Sequence, residues 1–350
     1  MDPVLLTIQL LLGALGILGV ATGDPAVLTE HAGRFLGALL ITVFVSFIRP
    51  RTVVKLSPAI YVSLLVLLLL VLFIGVSPEG SQSNRWLLIG SFTFQPSELM
   101  KVAVIAYLAA FFHNHFDRTP IWKPTAVIGL ACGLIILQPD LGTSVFIFLL
   151  ALGIMFIGPV RPQKVFAVGG LTMVVGVMFG SLFLSDFTYF ADRIDSFFDL
   201  HGDQAMAQDV SFQAVQARRT IMRAGFLGIG PGRPSIVPEA ETDMVAIAVT
   251  QSLGLIGIGT VITLFVLFGI RGIKIASSLT GPGSLLAGGA TLYICGQASV
   301  NLAVASGLLP ITGIPLPFMS YGLNSLFSVS IAAGFIHSAY RQVKRAEQPL

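Results

Sequence analysis

From residue 275 to residue 340 the chain runs for 66 residues without one Asp, Glu, Lys or Arg. A water-soluble domain cannot solvate a surface built from such a stretch. Charged residues make up about 25% of ordinary soluble chains; over the 350 residues here they make up 11%, against 55% hydrophobic. Lipid is therefore the expected solvent for most of the chain. The same composition excludes a disordered chain and a disulfide scaffold, since Cys132 and Cys295 both stand inside apolar runs and read as packing residues. A net charge of +3 is too small for a surface that tracks nucleic-acid phosphates, so no nucleic-acid partner is expected.

A bilayer core about 30 Å thick takes roughly 20 helical residues to cross. Cutting the chain at its charges, prolines and glycine clusters predicts an all-α integral membrane protein, a single polytopic domain over 1–350 with ten spans. These fall near 4–20, 34–48, 58–76, 96–112, 124–137, 143–157, 165–183, 243–270, 284–306 and 321–340. The fifth is short and ends in Gln138-Pro139-Asp140. That turn is expected to dip into the membrane, which is tolerable only where it is buried in protein or wet.

Lys and Arg in short loops set the orientation. With a cytoplasmic N-terminus, twelve basic residues fall on inner loops and the C-terminal tail, among them Arg49, Arg51, Arg271, Arg341 and Arg345, and only Arg34 and Arg85 on short outer loops. Both termini are thus expected on the inner side of the cytoplasmic membrane. The first segment carries Asp2 and no basic n-region, and reads as a retained span rather than a cleaved signal. Fourteen of the seventeen acids then lie outside or just within the membrane there, as does the one long hydrophilic stretch, 184–242. Function is expected at that outer face, because a structureless loop of such length is uncommon and usually functional.

Glu98 and Lys101 stand three apart in a helix opened by Pro96, so they share a face and can pair. Ionisable groups inside a span mark a structural pair or a site, and both readings stay open. Asp140 reads either as a cap for the helix entered at Thr143 or as a site carboxylate. The sharpest cluster is Pro238-Glu239-Ala240-Glu241-Thr242-Asp243, three carboxylates just ahead of an uncharged run. Carboxylates this close raise one another's pKa or recruit a cation. If Asp243 opens the span, helix amides and the dipole stabilise its anion; it is then either an ordinary acidic N-cap or a general base. Arg218, Arg219 and Arg223, with Arg233 beyond a run of glycines, are expected to converge on these acids as a site for an anionic, phosphate-bearing substrate or to form surface ion pairs. No His or Cys spacing suits a metal.

Four segments, in order along nearly the whole chain, resemble the SEDS family of shape, elongation, division and sporulation proteins. They are Arg85-Trp86 with Phe94-Gln95-Pro96-Ser97-Glu98-Leu99-Met100-Lys101; Gln138-Pro139-Asp140-Leu141-Gly142-Thr143; Pro238-Glu239 with Thr242-Asp243; and Gly307-Leu308-Leu309-Pro310 through Gly313-Ile314-Pro315-Leu316-Pro317 to Ser320-Tyr321-Gly322. The resemblance implies a peptidoglycan glycosyltransferase that polymerises lipid II at the outer face of the cytoplasmic membrane, with the residues at 312–315 closer to the elongation members. It implies that Asp243 is the essential loop carboxylate, that Glu98 and Lys101 form the family's ion pair, and that Arg85, Gln95, Ser97, Asp140 and Ser320 belong to its motifs. It further implies dependence on a divalent cation, Mg2+ or Mn2+, and a class B penicillin-binding protein as partner. In that setting Asp243 is expected to take the acceptor's hydroxyl proton, while Arg218, Arg219, Arg223 and a cation at Glu239 steady the departing pyrophosphate. Leu323, Arg223-Ala224 and Gln251-Ser252 depart from the family pattern. A flippase for lipid-linked precursors and a non-catalytic scaffold are the alternative readings.

Overall fold

A computed structural model describes residues 1–77, 84–90, 92–114, 121–183 and 209–347. The regular elements of the described chain are helices and one short hairpin. Its helices are α1 (Pro3–Gly23), α2 (Leu28–Phe47), α3 (Pro50–Ile74), α4 (Pro96–Asn114), α5 (Trp122–Ile136), α6 (Leu141–Ile157), α7 (Pro162–Phe183), α8 (Asp209–Ala224), α9 (Val245–Ser277), α10 (Pro282–Ala305) and α11 (Leu323–Glu347). The hairpin pairs β1 (Leu87–Ile89) with β2 (Phe92–Phe94) antiparallel. Each of the ten predicted segments falls on one of these helices. Among the described residues, four stretches are long and apolar enough to cross a membrane by length and composition: α1, Pro25–Phe47, α3 and α9.

Helix α4 is the axis of the bundle. It packs against α3, α5, α6, α10 and α11, and Met100, Val104, Ile105, Leu108, Ala109 and Phe112 along it are wholly buried. A helix apolar on every side must be central. The outer helices show the reverse: Leu36, Leu40 and Phe44 on α2, and Phe73 and Ile74 on α3, are each at least 60% exposed. In water such a surface would aggregate; against lipid it is solvated.

The third predicted span began at Pro58, yet α3 starts at Pro50 and carries Pro58 inside it. Proline lacks the amide that would bond the carbonyl four residues back. Here that carbonyl, Val54 O, accepts instead from Ser57 Oγ at 2.9 Å, so the helix continues through the proline. The hydrophilic stretch 184–242 is not structureless either. Residues 184–208 lie outside the described residues, and α8 follows them, placing Ala217, Thr220 and Ala224 on its buried side and Arg218, Met222 and Arg223 on its exposed side.

Helix α9 is broken at Gly254, where φ is 65° and ψ −156°. In an unbroken helix the amides of Leu255 and Ile256 would donate to the carbonyls of Gln251 and Ser252. They donate instead to Gly225 O at 3.1 Å and Phe226 O at 3.3 Å, while Gln251 O accepts from Ile229 N at 2.9 Å and Ser252 O from Gly230 N at 3.2 Å. The loop after α8 thus takes over all four groups that the break frees, which apolar surroundings demand. The two backbones meet so closely that a Cβ at Gly254 would stand 2.4 Å from Gly228 N, and one at Gly228 2.4 Å from Ser252 O. Gln251 and Ser252, which depart from the family pattern, are also used here: Gln251 Nε2 donates to Arg233 O at 2.8 Å, and Ser252 Oγ lies 2.7 Å from Thr22 Oγ1 on α1. Gly254→Ala or Gly228→Ala should cost about 2–4 kcal/mol and lower the melting temperature of the detergent-solubilised protein. Gly259→Ala, whose Cβ would meet nothing within 4 Å, should leave it in place; equal melting temperatures for all three would contradict the exchange.

Candidate active site

The site grows from one ion pair. Lys101 Nζ lies 2.7 Å from Glu98 Oε1, and both side chains are buried. Charges are tolerable there only when fully served by partners. Lys101 also donates to Gln297 Oε1 at 3.1 Å on α10, and its ammonium stands over the rings of Phe146 and Tyr293 at 5.6 and 5.7 Å. Glu98 Oε2 accepts from Ser328 Oγ at 3.3 Å on α11. Pairing at a spacing of three is thus as expected; Gln297 and Ser328, far along the sequence, complete it.

Gln297 and Asn301 share a face of α10, four residues apart, and both are buried. Together they hold the non-helical segment between α10 and α11. Gln297 Nε2 donates to Pro315 O at 2.9 Å and Asn301 Nδ2 to Ile314 O at 2.8 Å. Asn301 Nδ2 also donates to the carbonyl of Asp243, at 2.7 Å. Ser320 Oγ accepts from Leu316 N at 2.7 Å and closes the same segment, and Tyr321 N donates to Glu241 O at 2.8 Å. Sequence reasoning missed Gln297 and Asn301. Their signal was present: two amides one helical turn apart inside the longest uncharged stretch.

Asp243 does not cap α9 as expected. The helix begins at Val245, with Met244 as its uncapped N-cap residue. Glu239, at φ 56°, turns its carbonyl toward the amides of Thr242 and Met244, at 3.2 and 2.9 Å, and its carboxylate accepts from Thr242 Oγ1 at 2.6 Å. Asp243 therefore stands in the turn before the helix, half-buried, and among the described residues its carboxylate accepts no hydrogen bond. A Cβ at Gly313 would lie 3.5 Å from its Oδ2, and Gly313 has φ 69°, so the crest of the 306–322 segment faces the acid with bare backbone. Burial pushes the Asp243 carboxyl up to about 7, reinforced by the negative charges of Glu239, Glu98, Asp140 and Glu241. Glu241 is likewise raised, first by burial.

Asp140 is the N-cap of α6, accepting from Thr143 N at 3.2 Å. The capping reading holds, but Asp140 also has a distant partner in Arg85 Nη1 at 3.6 Å. Arg85 donates to the carbonyls of Gln138 (3.1 Å) and Pro139, and Gln138 Nε2 to Leu68 O at 2.8 Å, so Gln138 and Asp140 are held buried in the protein while Leu137 and Pro139 stay exposed. Gln95 O accepts from Glu98 N at 3.2 Å, and Ser97 is buried with its hydroxyl unpartnered among the described residues. The arginines do not converge on the carboxylates as expected. Arg218 and Arg223 are exposed and Arg219 half-buried on α8, which packs beside α9; among the described residues none of them, nor Arg233, pairs with Glu239, Glu241 or Asp243.

Lys101→Met leaves Glu98 charged and buried without its counter-ion, and should cost about 3–5 kcal/mol in unfolding free energy. Glu98→Gln combined with Lys101→Met should recover most of that loss in thermal unfolding. A double variant no more stable than the single one would contradict the pairing role.

The chain is 34% identical over 288 residues to the probable peptidoglycan glycosyltransferase FtsW of Nitrosomonas europaea, covering 78% of this chain and 72% of the relative. It is 30% identical over 359 residues to the peptidoglycan glycosyltransferase MrdB of Escherichia coli K12, covering 98% and 94%. Among solved structures, a chain from a study of how a peptidoglycan synthase complex coordinates polymerization and crosslinking matches with a TM-score of 0.81 at 25% identity over 98% of both chains. The model of the FtsW/RodA/SpoVE family matches residues 20–345, and to that family of cell cycle proteins this multi-pass membrane chain belongs.

Proposed function

We propose that this chain is a peptidoglycan glycosyltransferase of RodA type, polymerising lipid II into glycan strands at the outer face of the cytoplasmic membrane during cell elongation. The reading includes ten crossings, both termini in the cytoplasm and the 184–242 region outside. It is supported by family membership, by the two relatives that bear the enzyme's name, and by the basic inner-loop residues. The observation that carries the chemistry is the carboxyl of Asp243, held near neutrality by burial and by four neighbouring carboxylates.

A lipid-linked sugar pyrophosphate carries its own leaving group, so the protein must supply a base and positive charge. In the proposed step Asp243 accepts the proton of the acceptor's 4-hydroxyl. The freed oxygen pair attacks C1 of the donor sugar, and the bond from C1 to the pyrophosphate oxygen breaks with its electrons leaving on the pyrophosphate. Attack in line inverts C1, turning an α-phosphate into a β-1,4 bond. A base matched to neutral pH suits this transfer. Arg218, Arg219 and Arg223 would steady the departing undecaprenyl pyrophosphate as the charge develops. The Glu98–Lys101 pair, through Gln297 and the 306–322 segment, positions Asp243 rather than reacting.

A divalent cation, Mg2+ or Mn2+, belongs to the proposal. Among the described residues no group of three or more His, Cys, Asp or Glu forms a closed cage. Mg2+ bound with substrate phosphates usually takes only about one or two protein carboxylates, and the exposed carboxylate of Glu239 among mutually repelling acids fits that need. Such an ion would neutralise pyrophosphate charge. The likeness to a chain of a peptidoglycan synthase complex supports a class B penicillin-binding protein as partner.

Asp243→Asn keeps size and removes the base, and should reduce glycan strand synthesis from lipid II by about 10²-fold or more with no loss of folded protein. Asn301→Leu should lower it less, by releasing the turn. Strands made at the wild-type rate by Asp243→Asn would overturn the reading.

A further inference from the structure

A cavity of about 260 Å³ lies at the end of the bundle away from Asp243. Helices α2 and α11 begin beside the site, where Tyr321 N meets Glu241 O, and end here. The cavity is lined by two segments far apart in sequence, residues 46–51 and 338–345. Four arginines line it, Arg49, Arg51, Arg341 and Arg345, and no carboxylate does. Among the described residues none of the four has an acidic partner within salt-bridge distance. Ser338, also lining it, is already committed, donating to Ile48 O. Helix α3 opens onto the same space with Pro50 at its first position and no side-chain cap, adding the positive end of its dipole.

Like charges gathered in a concavity repel unless an anion neutralises them, and four planar forks suit a phosphate. The surroundings identify the phosphate's carrier. Phe47 lines the cavity and is 64% exposed, and the Arg341 guanidinium lies 4.2 Å above its ring. Below it, Phe44, Leu40 and Leu36 continue one exposed apolar stripe along α2, at steps of three and four residues. A free anion would have no use for such a stripe; acyl chains would lie along it.

We propose that this cavity binds the phosphodiester headgroup of an anionic phospholipid from the leaflet opposite the Asp243 site, with an acyl chain along Phe47, Phe44, Leu40 and Leu36. Basic pockets between helices on the cytoplasmic side are a known kind of lipid site. The leaflet assignment rests on the orientation proposed above; the chemistry of the cavity does not. Bound there, the lipid ties the α2–α3 corner to the end of α11.

The test is native mass spectrometry of the full-length protein in detergent, titrated with phosphatidylglycerol, phosphatidylcholine or inorganic phosphate. Wild-type protein should retain phosphatidylglycerol roughly tenfold better than phosphatidylcholine, and excess inorganic phosphate should not displace it. R49Q with R341Q should bring the two lipids to near parity. R49K with R341K, which keeps charge and insertion signals while losing the forks, should fall between. Asp243→Asn should bind as wild type does, so failure of the glycosyltransferase reading and failure of this one are separate results. Equal retention of both lipids by the wild type, undiminished phosphatidylglycerol in the glutamine pair, or displacement by inorganic phosphate would each overturn the proposal.

Discussion

Two amide side chains on one face of α10 hold the site together. Asn301 and Gln297 give their Nδ2 and Nε2 hydrogens to carbonyls of Asp243, Ile314 and Pro315. Non-helical backbone inside an apolar bundle survives only if its polar groups find partners, and these amides supply them. Gln297 has a second task. Its Oε1 accepts from Lys101, so the buried ion pair and the segment facing Asp243 are fixed by one residue. Remove the amides and both the crest at Gly313 and the turn bearing Asp243 lose their register.

The electrostatics follow from the same economy of charge. Glu98 is neutralised at 2.7 Å by Lys101, and Asp140 is capped and paired with Arg85. Among the described residues Asp243 receives no such partner. Its surroundings raise its pKa where those of the other two acids compensate their charge, and a carboxyl perturbed in this way is the kind that functional sites favour. Asp243 does not open α9, because the helix starts at Val245 and Glu239, in a left-handed conformation, turns its carbonyl onto the amides of Thr242 and Met244.

What was legible in the sequence was what local rules govern. Helix positions were readable because lipid permits little else, the Glu98–Lys101 pair because it spans three residues, and the Asp140 cap for the same reason. Pro58 misled because a neighbouring hydroxyl, Ser57, repairs the missing bond. Partners far apart were hidden: Arg85 for Asp140, Gln297 for Lys101, and the half-buried Arg271 for the buried Asp2, at 2.6 Å. The glycines of the 225–232 loop were visible, but their reason, an exchange of backbone hydrogen bonds with the break at Gly254, exists only in three dimensions. The arginines of α8 were read as converging on the acids, yet among the described residues none of them pairs with one.

The central claim is that Asp243 works as a base whose pKa its setting has raised. A carboxyl raised to about 7 is protonated, and idle, below that pH, so activity must grow as pH rises through it. Removing a neighbouring negative charge lowers the pKa and moves the rise to lower pH. The decisive measurement is the pH dependence of kcat/KM for glycan polymerisation, wild type against Glu239→Gln. The expected result is a single rise centred near 7 in the wild type, displaced to lower pH in the variant. A flat profile, or a midpoint near the usual carboxylate value of about 4 in both proteins, would contradict the account.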